Sequence, residues 1–214
     1  MSPRDYSPAD RALMGLDQAL RTVFGRPRVT ERANPAEPYA EVDLGEDERR
    51  HIGALIRVDH TGEVCAQALY QGQALTARLP TVRGEMQRAA AEEVDHLVWC
   101  ERRLRELDSH TSVLNPAWYG LSFALGAIAG AIGDDVSLGF VAATEERVCK
   151  HLKDHLERLP EDDRKSQLIL QQMLEDEERH GRKALEAGGR DFPRGVKDAM
   201  TAISTVMTGS SYRL

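Results

Sequence analysis

The chain has 214 residues, 41% of them hydrophobic and 29% charged, with a formal net charge of −7. This length suits one compact domain, and the composition is not that of a disordered chain. A negative charge without a basic stripe argues against a nucleic-acid partner. The three scattered cysteines fit neither a disulfide framework nor a zinc site, and they suit a reducing compartment.

A short amphipathic helix is predicted near the N-terminus. Ser7 and Pro8 are typical of an N-cap and a first helical position, and Gly25 is expected to end the helix. A proline-containing linker follows. We expect residues 1–45 to form this helix and linker, and residues 46–214 to form one domain. The early residues lack the apolar run of a secretory signal, so we expect no export.

Four long helical patterns follow, and prolines or glycines mark the breaks between them. They cover residues 46–78, 82–108, 134–158 and 162–187. Short turns join the first pair and the last pair, so each pair is expected to form an antiparallel hairpin. About 25 residues separate the hairpins, which predicts a long crossover along a four-helix bundle. A short C-terminal helix is predicted over 193–207. The predicted fold class is therefore all-α.

The crossover is predicted to contain an extra apolar helix. Residues 117–133 form a run of 17 residues without charge. At about 1.5 Å per residue the run spans roughly 25 Å, which is short of a ~30 Å hydrocarbon core. We interpret it as a helix that packs along the bundle or lies in a bilayer interface. The spacing of Gly126 and Gly130 allows close helix contact, either within the fold or between subunits.

Two Glu-x-x-His steps are the most informative motif of the chain. They are Glu93 with His96 and Glu177 with His180. Residues three apart share one face of an α-helix, so each step offers a carboxylate and an imidazole to the same point in space. This spacing is typical of metal ligands on the helices of a bundle.

A lone glutamate precedes each step by about one helical hairpin. Glu63 lies 30 residues before Glu93, and Glu145 lies 32 residues before Glu177. Four carboxylates and two imidazoles suit a pair of iron or manganese ions, and they are the ligand set of ferritin-like bundles. The doubled pattern therefore predicts a ferritin-like bundle with a carboxylate-bridged di-metal site.

The residues that share a face with these glutamates support a buried site. They are largely apolar around Glu93, Glu145 and Glu177, whereas Glu63 also has polar neighbours. Buried carboxylates need compensation, and two divalent cations would cancel four negative charges. The adjacent acids Glu92, Glu146 and Glu178 point about 100° away and are predicted to face solvent. The alternative is a polar bundle whose acids and histidines are ordinary surface residues.

Four segments resemble the demethoxyubiquinone hydroxylase family of ubiquinone biosynthesis, from about residue 46 to the end of the chain. They are RVDHTGE at 57–63, EEVDHL at 92–97, TEERVCKHL at 144–152 and EDEERHG at 175–181. The resemblance implies that the six residues named above hold two iron ions per chain. It also implies that Glu93 and Glu177 bridge both irons, that Glu63 and His96 serve one iron, and that Glu145 and His180 serve the other.

The implied activity is the O₂-dependent hydroxylation of the ring of 2-polyprenyl-3-methyl-6-methoxy-1,4-benzoquinol. His151 matches a histidine that the family associates with the substrate or reductant region, and it is a secondary site candidate. Asp59 and Asp176 are candidates to orient the ligand imidazoles. The insoluble substrate and the apolar crossover predict peripheral association with the cytoplasmic side of the cell membrane. Homo-oligomerisation and contact with other quinone-biosynthesis proteins are compatible with the resemblance.

Three alternative functions remain open at this point. A ferroxidase would use the same ligands, although the uncharged crossover does not suit a hollow storage shell. A manganese catalase shares the donor set, because iron and manganese prefer similar ligands. The third alternative is a helical scaffold on a membrane surface that binds no metal. Metal content separates this scaffold from the enzymes.

Overall fold

The computed structural model describes residues 7–24 and 32–214. Within these ranges the chain forms seven α-helices and no β-strand, which confirms the predicted all-α class. The helices are α1 (Pro8–Phe24), α2 (Glu46–Thr76), α3 (Pro80–Glu106), α4 (Asn115–Ile132), α5 (Asp134–Arg158), α6 (Arg164–Glu186) and α7 (Arg194–Ser211). The predicted helix end at Gly25 and the first linker residues, 26–31, lie outside the described residues.

Local signals in the sequence set several of the helix ends. Glu48 accepts a hydrogen bond from the Gly45 amide at 3.0 Å at the start of α2, so that this amide is satisfied. Pro80 occupies the first position of α3, where its missing amide hydrogen costs nothing. Asp163 caps α6 by accepting from the Ser166 amide at 3.1 Å.

The bundle consists of two hairpins and a crossover helix. α2 pairs with α3 and α5 pairs with α6, as predicted, and α4 covers the outer side of α2. This cover explains why α2 is buried over most of its length and can carry polar residues such as Gln67 inside the protein. The polar neighbours of Glu63 therefore do not mark a solvent-facing surface.

Small residues allow α4 to lie directly on α2. A Cβ atom added to Gly126 would lie 2.3 Å from the carbonyl oxygen of Leu69, and one added to Gly72 would lie 2.3 Å from that of Phe123. An added Cβ at Gly130 would clash with Thr76 in the same way. The glycine spacing predicted to allow close helix contact is thus used within the fold. None of the described helices combines the length and apolar character that a membrane span requires.

Two of the three apolar clusters among the described residues lie at different levels along the bundle helices. The larger includes Ile52, Trp99, Leu152 and Met173, and the smaller includes Tyr70. On each of α2, α3, α5 and α6, one cluster precedes the predicted metal ligands in sequence and the other follows them. The predicted site therefore lies between two layers of packed side chains, which shield it from water at both ends along the bundle axis.

Candidate metal centre

The structure brings the predicted ligands together in the middle of the bundle. Glu63, Glu93, His96 and Glu177 are buried, and each offers one potential ligand atom within 4.8 Å of the others. His180 joins them, because its Nδ1 atom lies 3.1 Å from an oxygen of Glu93 and 3.1 Å from an oxygen of Glu177. Three of the four ligand-bearing helices thus meet at these five side chains.

Glu145 completes the set from α5. It is only 2% exposed, and its Oε1 accepts a hydrogen bond of 2.5 Å from the Tyr70 hydroxyl. Gly181 makes room for it, since a Cβ atom added there would lie 3.3 Å from the Cβ of Glu145. A side chain at position 181 would therefore crowd Glu145 at this contact.

Glu93 and Glu177 each direct one oxygen to each histidine. Glu93 places its Oε2 2.9 Å from Nδ1 of His96 and its Oε1 3.1 Å from Nδ1 of His180. Glu177 places its Oε1 3.1 Å from Nδ1 of His96 and its Oε2 3.1 Å from Nδ1 of His180. This geometry is suited to two carboxylates that bridge a pair of ions, with one histidine beside each ion.

The four glutamates leave unsatisfied oxygen atoms. In each glutamate, one buried oxygen has no hydrogen-bond partner among the described residues. These oxygens are Oε2 of Glu63, Oε1 of Glu93, Oε2 of Glu145 and Oε1 of Glu177. For three of them an imidazole Nδ1 lies 3.1–3.4 Å away without suitable hydrogen-bond geometry. Buried polar atoms are normally satisfied, and hard divalent cations prefer carboxylate oxygens. The residues therefore fit a pair of metal ions.

The cluster also shifts the proton affinities of its members. Burial, and then the neighbouring carboxylates, raise the pKa values of Glu63 and Glu145 well above the ordinary range. Burial opposes a charge on His180, but the carboxylates around it raise its pKa to about 12. The same balance raises the pKa of His96. Bound cations would replace the protons that these groups otherwise hold.

An acid on the opposite hairpin fixes the outer nitrogen of each histidine. Nε2 of His96 lies 3.0 Å from Asp176 on α6, and Nε2 of His180 lies 2.6 Å from Glu92 on α3. Asp176 directly precedes Glu177, and Glu92 directly precedes Glu93. Each Glu-x-x-His step therefore comes with an acid that holds the histidine of the other step. Such contacts leave Nδ1 free to bind metal.

The two acids that contact the histidines differ in whether the sequence predicts this role. Asp176 does contact a ligand imidazole, as predicted. The prediction that Glu92 faces solvent is wrong, because its side chain is only 26% exposed and bonds to His180. Glu146 and Glu178 are exposed, as predicted, and pair with Lys197 and Lys153. The helical period alone could not show that α6 reaches over to Glu92.

No sequence pattern singles out Arg32, because it lies in the predicted linker. Its guanidinium bonds to Asp176 at 2.6 Å and to Asp95 at 2.9 Å, and it stacks 5.0 Å above the ring of Trp99. The pKa of Asp176 is lowered, since the bonds to His96 and Arg32 outweigh the effect of burial. Residue 32 thus closes the His96 side of the site.

An apolar pocket reaches the centre between α2, α4, α5 and α7. It holds about 900 Å³ of space, its open mouth included. Glu63 is the one predicted ligand that lines it, and the walls include Trp118, Leu125, Phe140 and Ile203. His151 also lines the pocket, which places it outside the ligand cluster. Its role stays a prediction.

Asp59 does not contact a ligand histidine, so the predicted orienting role is wrong. It lines the apolar pocket, and its Oδ1 lies 2.8 Å from Nδ1 of His155. Burial opposes a charge on His155, but the Asp59 carboxylate raises its pKa. The spacing of the two residues in the sequence does not reveal this pair, because 96 positions separate them.

The fold and the site define a class of protein, the ferritin-like carboxylate bundles. A bacterioferritin-related protein from Bacteroides fragilis, described as a dodecameric thioferritin, matches 82% of this chain and 95% of its own. The TM-score is 0.54 and the sequence identity is 17%, so this likeness concerns the fold alone. It confirms the predicted ferritin-like bundle.

The chain belongs to the family described as ubiquinone biosynthesis protein COQ7, whose model matches residues 50–211. A protein of Ectopseudomonas mendocina (strain ymp), named 3-demethoxyubiquinol 3-hydroxylase, is 61% identical over 100% of this chain and 99% of its own length. A protein of the same name from Azotobacter vinelandii (strain DJ / ATCC BAA-1303) is 59% identical over 99% of this chain and 98% of its own. The family that the four segments resemble is thereby confirmed.

Proposed function

We propose that this chain is a di-iron monooxygenase that uses O₂ to hydroxylate the ring of a polyprenylated demethoxyubiquinol. One observation carries the proposal. Glu93 and Glu177 each direct an oxygen to both His96 and His180, beside an apolar pocket that reaches Glu63. The activity named for the relatives supports the substrate class.

The six residues would divide between two ions. Glu63 and His96 would serve one, Glu145 and His180 the other, and the two central glutamates would bridge. Iron ions bound there would activate O₂ and supply two electrons for a single turnover. The protein's own part is to hold the imidazoles, exclude water and admit the ring.

The apolar pocket suits a quinol with an isoprenoid tail. Just over half of the residues that line the pocket are aliphatic, aromatic or methionine residues, which would bury the tail. The polar residues of the lining are Asp59, Glu63, Ser122, Thr144, Arg147, His151 and Ser204. A ring that enters to the depth of Glu63 would lie next to the metal-binding cluster, and its tail would extend towards α4 and α7.

Hydroxylation can be tested in a single turnover. The protein is loaded with Fe(II) without oxygen, mixed with a short-tailed demethoxyquinol and exposed to isotopically labelled O₂. In the product, one labelled oxygen atom is expected by mass spectrometry, and the second oxygen atom leaves as water. The matched control is Glu178→Gln, which alters an exposed acid next to Glu177 and should react normally.

Other outcomes favour the alternative functions. Iron oxidation without a labelled product would favour a ferroxidase. Dismutation of hydrogen peroxide by the manganese-loaded protein would favour a catalase. A chain that takes up no metal would favour a scaffold, and each of these results would contradict the proposal.

We further propose that the chain associates peripherally with the cytoplasmic side of the cell membrane. Exposed apolar residues on α4 and α7 support this, namely Leu121, Ile128, Ile132, Ile203 and Val206. Leu121 and Ile203 also line the apolar pocket, so this face adjoins the proposed entrance for an insoluble substrate.

Liposome flotation tests the membrane proposal. Wild-type protein is expected to float with zwitterionic vesicles, and Ile128→Asp/Ile132→Asp is expected to stay in the aqueous fraction. Leu185→Asp changes a leucine on α6 that is about half exposed, and this variant should float normally. Wild-type protein that remains in the aqueous fraction would refute the proposal.

A further inference from the structure

The apolar pocket contains polar atoms that lack partners. Oδ2 of Asp59, Nε1 of Trp118 and Nε of Arg147 are buried, and none has a hydrogen-bond partner among the described residues. All three residues line the pocket. Because buried polar atoms are almost always satisfied, the natural ligand of the pocket should supply the missing partners.

The Asp59 oxygen differs from the other two in what it can bind. An ionised carboxylate only accepts hydrogen bonds, whereas the indole and guanidinium nitrogens only donate them. Asp59 is 6% exposed and lies one helical turn before Glu63 on α2, so the two residues share a face. It therefore stands within the pocket at nearly the depth of the metal-binding cluster.

His155 holds the Asp59 side chain in place. The ring of His155 is 5% exposed and its Nδ1 lies 2.8 Å from Oδ1 of Asp59. This contact occupies one carboxylate oxygen and leaves the other for the pocket. His155 does not itself line the pocket, so it acts through Asp59.

The two oxidation states of the proposed substrate differ in hydrogen-bond chemistry. A quinol carries two hydroxyl groups and can donate hydrogen bonds, whereas all oxygen atoms of the corresponding quinone can only accept them. If a quinone oxygen lay opposite Oδ2 of Asp59, two acceptors would face each other. Oδ2 would then stay buried without a hydrogen-bond donor. Leaving such a group unpaired is costly, and sites that depend on one hydrogen bond reject analogues that lack it.

We propose that Asp59, positioned by His155, accepts a hydrogen bond from a ring hydroxyl and thereby makes the pocket select the quinol over the quinone. This inference rests on the proposed function and adds a residue that determines which oxidation state binds. Trp118 and Arg147 can donate to ring oxygens in both states, and they do not discriminate between them.

The test compares the dissociation constants of both oxidation states. The full chain is loaded with Mn²⁺, which shares the donor set but does not reduce quinones, and is titrated anaerobically with a short-tailed demethoxyquinol and its quinone. Wild-type protein should bind the quinol about 10- to 100-fold more tightly, as a hydrogen bond to a charged group implies. In Asp59→Asn the ratio of the dissociation constant of the quinone to that of the quinol should fall to about 1–3.

Two control variants separate this role from a general effect on the pocket. Asp154→Asn removes an exposed negative charge next to His155 and should leave the ratio unchanged. Trp118→Phe removes a pocket donor and should weaken binding of both forms by the same factor. His155→Phe should lower the ratio towards that of Asp59→Asn, whereas a purely structural role would weaken both forms equally.

Each result bears on the inference. A wild-type ratio near one, or an unchanged ratio in Asp59→Asn, would overturn it while leaving the hydroxylation proposal standing. If Asp59→Asn does not fold, an unchanged ratio in His155→Phe would overturn it instead. Wild-type protein that binds neither form would refute both the proposed function and this inference.

Discussion

The two halves of the candidate metal centre have the same pattern of potential ligands but different surroundings. On the His96 side, Asp176 is fully buried under Arg32, and Glu63 lines the apolar pocket. On the His180 side, Glu92 is partly exposed, and Glu145 lines a charged groove with Lys150, Lys153 and Lys197. The comparison indicates that the bundle offers an apolar approach for an organic ring on one side and a polar approach on the other.

The largest effect is expected from removing a residue that both halves share. Glu93→Ala and Glu177→Ala should each lose a bridge, bind well below two ions per chain and reduce hydroxylation by at least about a hundredfold. Metal analysis and the single-turnover assay measure this, with circular dichroism to confirm the helices. Full activity in an iron-loaded Glu177→Ala protein would contradict the bridging role.

Removing a ligand that belongs to one half should have a smaller and unequal effect. Glu63→Ala and Glu145→Ala are each expected to retain about one tightly bound ion per chain, because each variant removes a ligand of only one of the two proposed ions. Only Glu63→Ala should also change the affinity for the quinol, because only Glu63 lines the apolar pocket. Equal losses of quinol affinity in both variants would remove the distinction between the two sides.

The outer acids allow a finer comparison of the halves. Asp176→Asn and Glu92→Gln should each weaken metal binding by about 10- to 100-fold, the usual cost of losing an acid that orients a ligand histidine. The loss should be larger for Asp176→Asn, because this acid is fully buried and also holds Arg32. Competition with a chromophoric chelator would measure both affinities. A larger loss in Glu92→Gln would invert the proposed order.

Much of this arrangement could be predicted from the sequence. The helices and the six ligand candidates follow a period of 3.6 residues, and each motif is local enough to recognise along one helix. Arg32, Glu92 and the Asp59–His155 pair could not be predicted in the same way. Their contacts join positions far apart in the chain, and they depend on which helices face each other. Glu92 shows the limit most clearly. The pattern of its own helix predicts that it faces solvent, but α6 lies across it and brings His180 into contact.

The mildest expected effect is the change with pH in the stability of the metal-free protein. The pKa values of Glu63, Glu145, His96 and His180 are raised by folding, so these groups stabilise the metal-free protein at low pH and lose that contribution as the pH rises towards their folded values. Glu93 has a lowered pKa, and its contribution is already complete above about pH 6. Bound ions would replace the protons.

The melting temperatures of metal-free and Mn²⁺-loaded protein should therefore diverge as the pH rises from about 6 to about 8. Differential scanning calorimetry at several pH values would measure this divergence. A gap that narrows over this range would show that the metal-free cluster does not hold the expected protons.

The central claim is that six side chains from four helices hold two bridged metal ions. It is tested most directly by a crystal structure of the anaerobically iron-loaded protein, with anomalous scattering measured at the iron edge. The account predicts two iron peaks about 3.5–4 Å apart, between Glu93 and Glu177, with one beside His96 and one beside His180. A single peak, or iron bound away from these residues, would contradict it.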